Sequence, residues 1–530
     1  MAWKGDAALS EYQKPKRVRV SLKRSAGIVF VFSLLSKLGG LIRQFTMALM
    51  FGTSAGNDAW LIASVIPNLF FGSVSGAITV TTVPILSEAD AHYSQESTNV
   101  FISQAVVAIG IITFVLNIVA EIFAPSITQV VAPGFRGHEL QLAITMARIV
   151  MPTLWIQALA GFFSGILQQR EQYSAPAAIP VLINIVRILG IVVLGRFVGI
   201  IGVAVGFTLG TALQFILLIG PLKRAKIRLR PTWHLNHPLL KKMGRISVPY
   251  FINSSINSVE IIVDRVLSSF LVTGSIAAIN YSYTLVQVPL TLLLAPITTP
   301  LLTRLSQQYS DNNLEEFRHT AFRGLELTLF ILAPVTVWFI TLRIPILVVL
   351  FQHGAFTIRS TQLTATTLLA FSLGIPGFGM VFYLRNLFFA SKDTKVPARY
   401  GIMAIMCNIV GDLTLVHLWQ AAGLSLSTSI ANWVNATLMM WHLLKIDVLK
   451  YSQFKKTLSP ILLASMGMLA TWAVVRLGIS PLHLRLLGEL GWGAVNLVLS
   501  GMVYVLILRR LKNEMLDWLE TLIKRRLATR

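Results

Sequence analysis

Residues 27–49 read GIVFVFSLLSKLGGLIRQFTMAL, a stretch of 23 residues with two charges. At 1.5 Å per residue, a helix of this length spans the roughly 30 Å of a bilayer's hydrocarbon. Cutting the rest of the chain at polar and Gly/Pro punctuation gives further spans at 58–88, 99–124, 140–168, 176–197, 200–221, 243–272, 276–303, 319–342, 360–390, 396–417, 422–444, 458–477 and 488–508, fourteen in all. Several exceed the minimum length, which implies tilt or projection beyond the bilayer. Composition agrees: the 530 residues are 55% hydrophobic and 13% charged, with a mean hydropathy of +0.70. A soluble domain carries about 25% charged residues. The expected fold is all-α and polytopic, and an ordinary soluble enzyme is excluded.

The 45 Lys and Arg against 22 Asp and Glu give a net charge of +23. In a soluble chain that excess would point to nucleic acid. No zinc spacing or RNA-binding motif accompanies it here, and the cations sit between apolar runs as the positive-inside rule requires, so no nucleic-acid partner is expected. They gather at the two ends and in the even-numbered connections, which places both termini in the cytoplasm. The first apolar run follows Lys14, Lys16, Arg17, Arg19, Lys23 and Arg24 and has no convincing small-residue cleavage site, so it reads as a retained helix. The single Cys407 permits no intramolecular disulfide.

The connection from Lys223 to Arg245 is the most basic, and it divides two similar halves. Arg43 and Pro67 are 24 residues apart, as are Arg265 and Pro289, a shift of 222; Gly202 with Gln214 and Gly423 with Asn435 repeat at a shift of 221. Six spans separate the copies, so the repeats run parallel, as in many transporters whose substrate lies where the repeats meet. The expected organisation is a basic cytoplasmic N-terminus (1–24), an N-lobe (25–222), a basic linker (223–242), a C-lobe (243–446), two further spans (447–508) and an amphipathic basic tail (509–530). A central cavity lies between the lobes.

No nucleophile with a nearby base, no phosphate-binding Gly loop and no Walker motif stands out, so the chain is not read as an enzyme. His234 and His237 have metal-like spacing but lie in an exposed loop. The informative residues are ions within spans, because a charge in hydrocarbon costs about 3 to over 10 kcal/mol unless it meets water or a partner. The cations are Lys37, Arg43, Arg148, Arg187, Arg265 and Arg385. Lys37, Arg43 and Arg265 fit a cationic cavity for an anionic headgroup, and Asp58 could pair with a cation across the odd-side entrance; interhelical pairing and snorkelling are the alternatives. Glu260 and Asp264 on the seventh span, Asn408 and Asp412 on the eleventh and Thr428 on the twelfth form an acidic and polar group. Asn408 and Asp412, at i and i+4, share a face. Their hard oxygens suit a small hard cation or a proton; simple neutralisation of Arg265 by Asp264 is the competing reading. Small-xxx-small pairs at Gly72/Gly76, Gly161/Gly165 and Gly206/Gly210 suit close helix packing.

The stretch SKLGGLIRQFTMALMFGTSAGNDAWLIASVIPNLF from Ser36, with VPILSE from Val83, resembles the opening of the MurJ/MviN lipid II flippases of the MOP superfamily. So do APGF at 132–135, SSFLVTGSIAAINYS from Ser268, LFQHGAFT from Leu350, FFASKDTKVPAR from Phe388 and AGLSLSTS from Ala422. The resemblance implies a V-shaped two-lobed fold of fourteen helices in the bacterial inner membrane. It implies flipping of an undecaprenyl-diphosphate-linked saccharide, foremost the peptidoglycan precursor lipid II, to the outer leaflet, with membrane lipids and cell-wall or polysaccharide synthesis proteins as partners. Lys37 and Arg43 match basic positions of the first helix that engage the diphosphate, and Asp58 matches an acidic position after the Phe-Gly turn. Asp264, Asn408, Asp412 and Thr428 match a sodium site, so Na+ is the expected coupling ion and no other cofactor is implied. Two cationic family positions are absent: Phe70-Phe71-Gly72 and Ser282-Tyr283-Thr284 stand where Arg-Arg and Ala-Asp-Arg are usual. That departure keeps an exopolysaccharide or other surface-glycan unit open as cargo, and the superfamily keeps a cation-coupled drug exporter open.

Overall fold

The structure is a computed structural model that describes residues 22–67, 72–225, 227, 229–230, 232–479, 486–517 and 521. Its described residues are helical or in turns, with no strand. The N-lobe contains α1 (Leu22–Phe51), α2 (Ala55–Ile66), α3 (Gly72–His92), α4 (Gln95–Ile122), the short α5 (Ala124–Val131), α6 (Gly137–Val150), α7 (Thr153–Gln169) and α8 (Ser174–Leu189). After α8 one wide turn leads into α9 (Gly195–Val198), and α10 (Ile201–Arg224) closes the lobe. The C-lobe contains α11 (Pro238–Ser268), α12 (Ser275–Pro289), α13 (Ala295–Ser310), α14 (Leu314–Thr341), α15 (Arg343–Leu350), α16 (Ile358–Ser372), α17 (Ile375–Ala390) and α18 (Lys395–Lys445). Beyond it lie α19 (Tyr451–Ile479) and α20 (Leu486–Arg510).

Among the described residues, nine helices are long and apolar enough to cross a membrane, or ten if the bent pair α16–α17 is one span. The fourteen expected crossings further require α1, the α2–α3 pair and α11 to cross and α18 to cross twice. α18 does contain two helices, joined at Gln420 with φ 47° and ψ −126°. Gly199, 221 residues earlier between α9 and α10, turns the same way at φ 61° and ψ −146°.

Lipid tails give helices no hydrophobic reason to associate, so close packing and interhelical hydrogen bonds must do it. Around α3 and α7 they do: Ser75 Oγ donates to Gln157 O at 2.9 Å and Thr79 Oγ1 to Gly161 O at 3.0 Å. A Cβ on Gly161 or Gly165 would come within 3.0 Å of α3, which is why those positions are small. Gly206 likewise abuts Gly190, whereas a Cβ on Gly76 would meet nothing within 4 Å among the described residues. The internal repeat holds in three dimensions. A Cβ at Gly202 would strike Leu194, and one at Gly423, 221 residues on, would strike Leu415, the counterpart of Leu194.

α11 starts at Pro238, five residues before the expected span, because His237 caps it by accepting from Leu239 N through Nδ1 at 3.3 Å and Pro238 suits the first helical position. His237 also contacts Ser97 Oγ through Nε2 at 3.2 Å, so it serves packing. No group of three or more His, Cys, Asp or Glu with metal-binding geometry exists among the described residues. α11 packs on α3 at its start and on α18 towards its end, tying the lobes together. After α20, Glu514 pairs with Arg323 and Lys456 while Met515 and Leu516 are buried. Most of the expected amphipathic tail, the N-terminus to residue 21 and Phe70–Phe71 lie outside the described residues.

Candidate functional site

α1 sets the first group of side chains. From Val31 onward, its large exposed apolar residues, Val31, Leu34, Leu35, Leu38, Ile42 and Leu49, fall on one stripe. At 100° per residue, Lys37 and Arg43 lie on either flank, each about 120° from the centre of that stripe. The flank bearing Arg43 packs on α8, where Asn184 Nδ2 donates to Ser36 O at 3.0 Å. Arg43 thereby lines a cavity of about 160 Å³ with Gln44, Asn57, Trp60, Arg187 and Asn280. Lys37, on the other flank, is exposed and outside this cavity.

Arg187 is the residue the sequence reading left out of the site. Its guanidinium lies 3.8 Å over the Phe207 ring, one Nη reaches Thr211 Oγ1 at 3.4 Å, and Nε is buried with no partner. Arg43 and Arg187 are close enough to repel each other, and neither forms an ion pair among the described residues. Spacing along one chain could not show that two helices bring these cations to one cavity. Of the other in-span cations, Arg148 lies 3.9 Å from Glu121, and Arg385 lines a separate C-lobe cavity of about 460 Å³ with Glu260 and Asn435. Arg265 is half-buried and sits in the field of both Asp58 and Asp264.

Among the described residues, Asp58 forms no ion pair with a cation. It is 2% exposed and caps the start of α12, accepting from Gly274 N at 2.6 Å and Ala277 N at 2.8 Å. Free N–H groups at a helix start attract a carboxylate as well as a side-chain cation would, and here they belong to the opposite lobe. Around this contact runs a seam of bonds between lobes. Asn57 Nδ2 donates to Tyr281 Oη at 2.8 Å, Thr53 Oγ1 meets Ser360 Oγ at 2.8 Å, Ala355 N donates to Leu49 O at 2.9 Å and Gly134 N to Ser269 Oγ at 3.0 Å. Gly52 and Gly274, related by the 222-residue shift, both have positive φ and both touch backbone of the other lobe, so neither tolerates a Cβ.

The structure brings residues of the second group together. Asn408 and Asp412 are fully buried on one face of α18, with Asn408 Nδ2 3.4 Å from Asp412 Oδ1 and 3.4 Å from Thr428 Oγ1. Ser427 joins them, donating to Asn408 O at 2.7 Å. With the amide turned over, Asn408 donates to Glu260 Oε1 at 3.2 Å and accepts from Ser427 Oγ and Thr428 N at 3.1 Å each. Asp264 reaches Asp412 at hydrogen-bond range, and its Oδ1 is buried without a partner. Two carboxyls this close need a shared proton or a cation between them. Carboxylate, amide and hydroxyl oxygens are also the donors a small hard cation takes, so Asp264, Asn408, Asp412 and Thr428 fit Na+.

The family model of the lipid II flippase MurJ matches residues 47–488. The probable lipid II flippase MurJ of Buchnera aphidicola subsp. Acyrthosiphon pisum is 30% identical over 437 residues, 80% of this chain and 85% of that protein. That of Vibrio cholerae serotype O1 is 27% identical over 498 residues, 90% of this chain and 94% of that protein. A solved lipid II flippase MurJ in an inward closed conformation superposes with a TM-score of 0.78 at 25% identity, covering 92% of this chain and 99% of that one. An inward-facing multidrug resistance MATE family transporter of the MOP superfamily shares the fold, with a TM-score of 0.65 at 14% identity over 80% of this chain and 98% of its own.

Proposed function

The chain belongs to the lipid II flippase MurJ family, and on that premise we propose that it carries lipid II from the cytoplasmic to the outer leaflet of the bacterial inner membrane. The reading rests above all on one observation: a cavity between helices holds two guanidiniums, Arg43 and Arg187, with no carboxylate among the described residues to neutralise either. Buried like charges are costly and call for an anion. A lipid-linked diphosphate supplies one, and its polyprenyl tail can stay in the membrane while the headgroup enters between the lobes. Exposed Lys37, at the first helix, is placed to meet the headgroup as it arrives.

Alternating access requires contacts that hold one side shut and can be released. The seam around Asp58 is that closure, on the side opposite the basic linker, with both termini in the cytoplasm. In the C-lobe, Asp264, Asn408, Asp412 and Thr428 would hold the coupling Na+. A bound cation there supplies positive charge between carboxylates that otherwise repel or share a proton. Asn408 and Ser427 position those carboxylates by bonding the two halves of α18 to each other.

Complementation tests the cargo. The chain is expressed in cells depleted of their own lipid II flippase, beside Arg43→Ala and a double Phe71→Arg, Thr284→Arg variant. Rescue by the unmodified chain and loss of rescue with Arg43→Ala are expected. Rescue by the double variant alone would mean that the natural cargo is another lipid-linked glycan. That second reading is favoured by Thr284, whose hydroxyl is spent on Asn280 O of its own helix at 2.8 Å and offers no charge.

A further inference from the structure

The C-lobe cavity of about 460 Å³ leads away from the oxygen cluster. Its long walls are the two arms of α18, which run side by side because Asn408 on the first bonds Ser427 and Thr428 on the second. Four residues away from that level the lining is Ala404 with Asn432, three further it is Gly401 with Asn435, and four further Pro397 with Met439. Steps of four, three and four keep one face of each arm towards the cavity. The path from Asn408 to Pro397 is eleven residues, about 16 Å at 1.5 Å per residue. Ala404 is buried, whereas Thr394 and Ala398 at the other end are exposed, so the cavity opens where α17 passes to α18. With α11, α12–α13, α14 and α16–α17 as four successive spans, that opening lies on the basic linker's side of the membrane.

The lining suits a small cation in transit. Glu260 stands at the inner end, one turn to the linker side of Asp264, and the turned-over Asn408 amide donates to its Oε1 at 3.2 Å. Next on the way out are Asn432, whose Nδ2 donates to Thr428 O at 2.9 Å, and Asn435, whose Oδ1 is buried with no partner among the described residues. Carboxylate and amide oxygens are hard donors that replace part of an ion's water. Arg385 lines the cavity nearer the opening, one turn in from Phe389, and its charge keeps a cation from resting there. Gly401 is the most informative residue. Glycine inside a helix is destabilising relative to alanine. Its backbone here is ordinary α-helix, and a Cβ would meet nothing within 4 Å among the described residues. Neither a turn nor close packing among those residues accounts for the glycine; an unobstructed bore does.

We propose that this cavity is the passage by which the coupling cation exchanges between the C-lobe site and the cytoplasm, with Gly401 keeping it open and Glu260 receiving the ion at its inner end. This rests on the reading of Asp264, Asn408, Asp412 and Thr428 as a Na+ site. It adds a route to that site and a residue, Glu260, outside the four that hold the ion.

The test uses the full-length chain in liposomes on a solid-supported membrane, where a jump from K+ to Na+ at constant ionic strength gives a transient current as the ion enters. Unfolding temperatures of the purified chain in Na+ and in K+ report binding at equilibrium. The unmodified chain should give both a transient and a Na+-specific rise in unfolding temperature. A leucine side chain in the bore displaces the water an ion needs, so Gly401→Leu should cut the peak current at least about fivefold. It should keep the rise, because a blocked passage slows entry without altering the site, and Gly401→Ala should lose less current. Glu260→Gln should also cut the peak, and Glu260→Asp should restore part of it. A Gly401→Leu peak within about twofold of the unmodified chain overturns the passage and leaves the ion site standing. Loss of the rise in Gly401→Leu makes position 401 part of the packing of the site itself and overturns the passage as well. A rise without a transient in the unmodified chain means that the ion takes another route, which also overturns it. Absence of both in the unmodified chain overturns the Na+ reading and the passage together.

Discussion

Replacing Asp58 with Asn should loosen the seam between the lobes by a calculable amount. The carboxylate accepts two backbone N–H groups of α12 at 2.6 and 2.8 Å. A hydrogen bond to a charged group contributes about 1.5–3 kcal/mol, and a charge at a helix start a further 0.3–1 kcal/mol. Asn keeps one acceptor oxygen and loses the charge, so the change is about one such bond plus the dipole contribution, roughly 2–4 kcal/mol. At about 1.4 kcal/mol per factor of ten, the open population rises roughly thirty- to several-hundredfold. Ser275, 1% exposed at the start of α12, reports this when changed to Cys in a Cys407→Ser background. A membrane-impermeant thiol reagent reaches that position only when the seam opens, so its labelling rate is proportional to the open population. Asp58→Asn should raise the rate at least about thirtyfold. A rate within threefold of the parent, in protein of unchanged stability, refutes the reasoning that this cap joins the lobes.

Three further outcomes follow from other parts of the structure. Gln420 occupies a backbone region that suits glycine, as Gly199 does at the equivalent turn, and such residues cost about 1–3 kcal/mol; Gln420→Gly should raise the unfolding temperature, and a lower one would contradict the strain. Asp412→Asn should abolish any rise in unfolding temperature produced by Na+ but absent with K+, the signature of a ligand that binds only the folded state; retention of the Na+ effect would remove Asp412 from the ion site. Burial between Tyr93 and Phe101 pushes the His237 imidazole below its ordinary value of 6.5. The folded chain then binds the proton less readily than the unfolded one, so stability is complete above pH 6.5 and falls as pH drops from there to the lowered folded value. Melting curves between pH 5.5 and 7.5 should show that loss in the parent and a flatter profile in His237→Asn, which retains a capping side chain; identical slopes would contradict it.

Much of the architecture was legible because membrane helices announce themselves by length and apolarity. The repeat could be read from two spacings, Arg43 to Pro67 and Gly202 to Gln214, and the packing of Gly202 and Gly423 carries the same shift. The C-lobe oxygens were legible because Asn408 and Asp412 share a helix face, where four-residue spacing fixes proximity. What escaped was whatever depends on two helices meeting. Asp58 was expected to find a cation, but the partner it has is a pair of backbone N–H groups, which carry no signature in side-chain chemistry. Arg187 could be recognised as costly in hydrocarbon, yet only the packing of α8 on α1 and α10 shows that it shares a cavity with Arg43. Lys37 and Arg43 seemed equivalent in sequence; the 120° between them sends one to an exposed flank and the other to an enclosed cavity.

Transport itself is the most direct test. The purified chain is reconstituted in liposomes with lipid II carrying a headgroup fluorophore, and a membrane-impermeant quencher is added outside. The account predicts that inner-leaflet lipid II becomes quenchable only when the unmodified chain is present, and that Arg43→Ala or Arg187→Gln slows this sharply. Quenching that plateaus at the outer-leaflet fraction in liposomes bearing correctly folded, unmodified chain would contradict it.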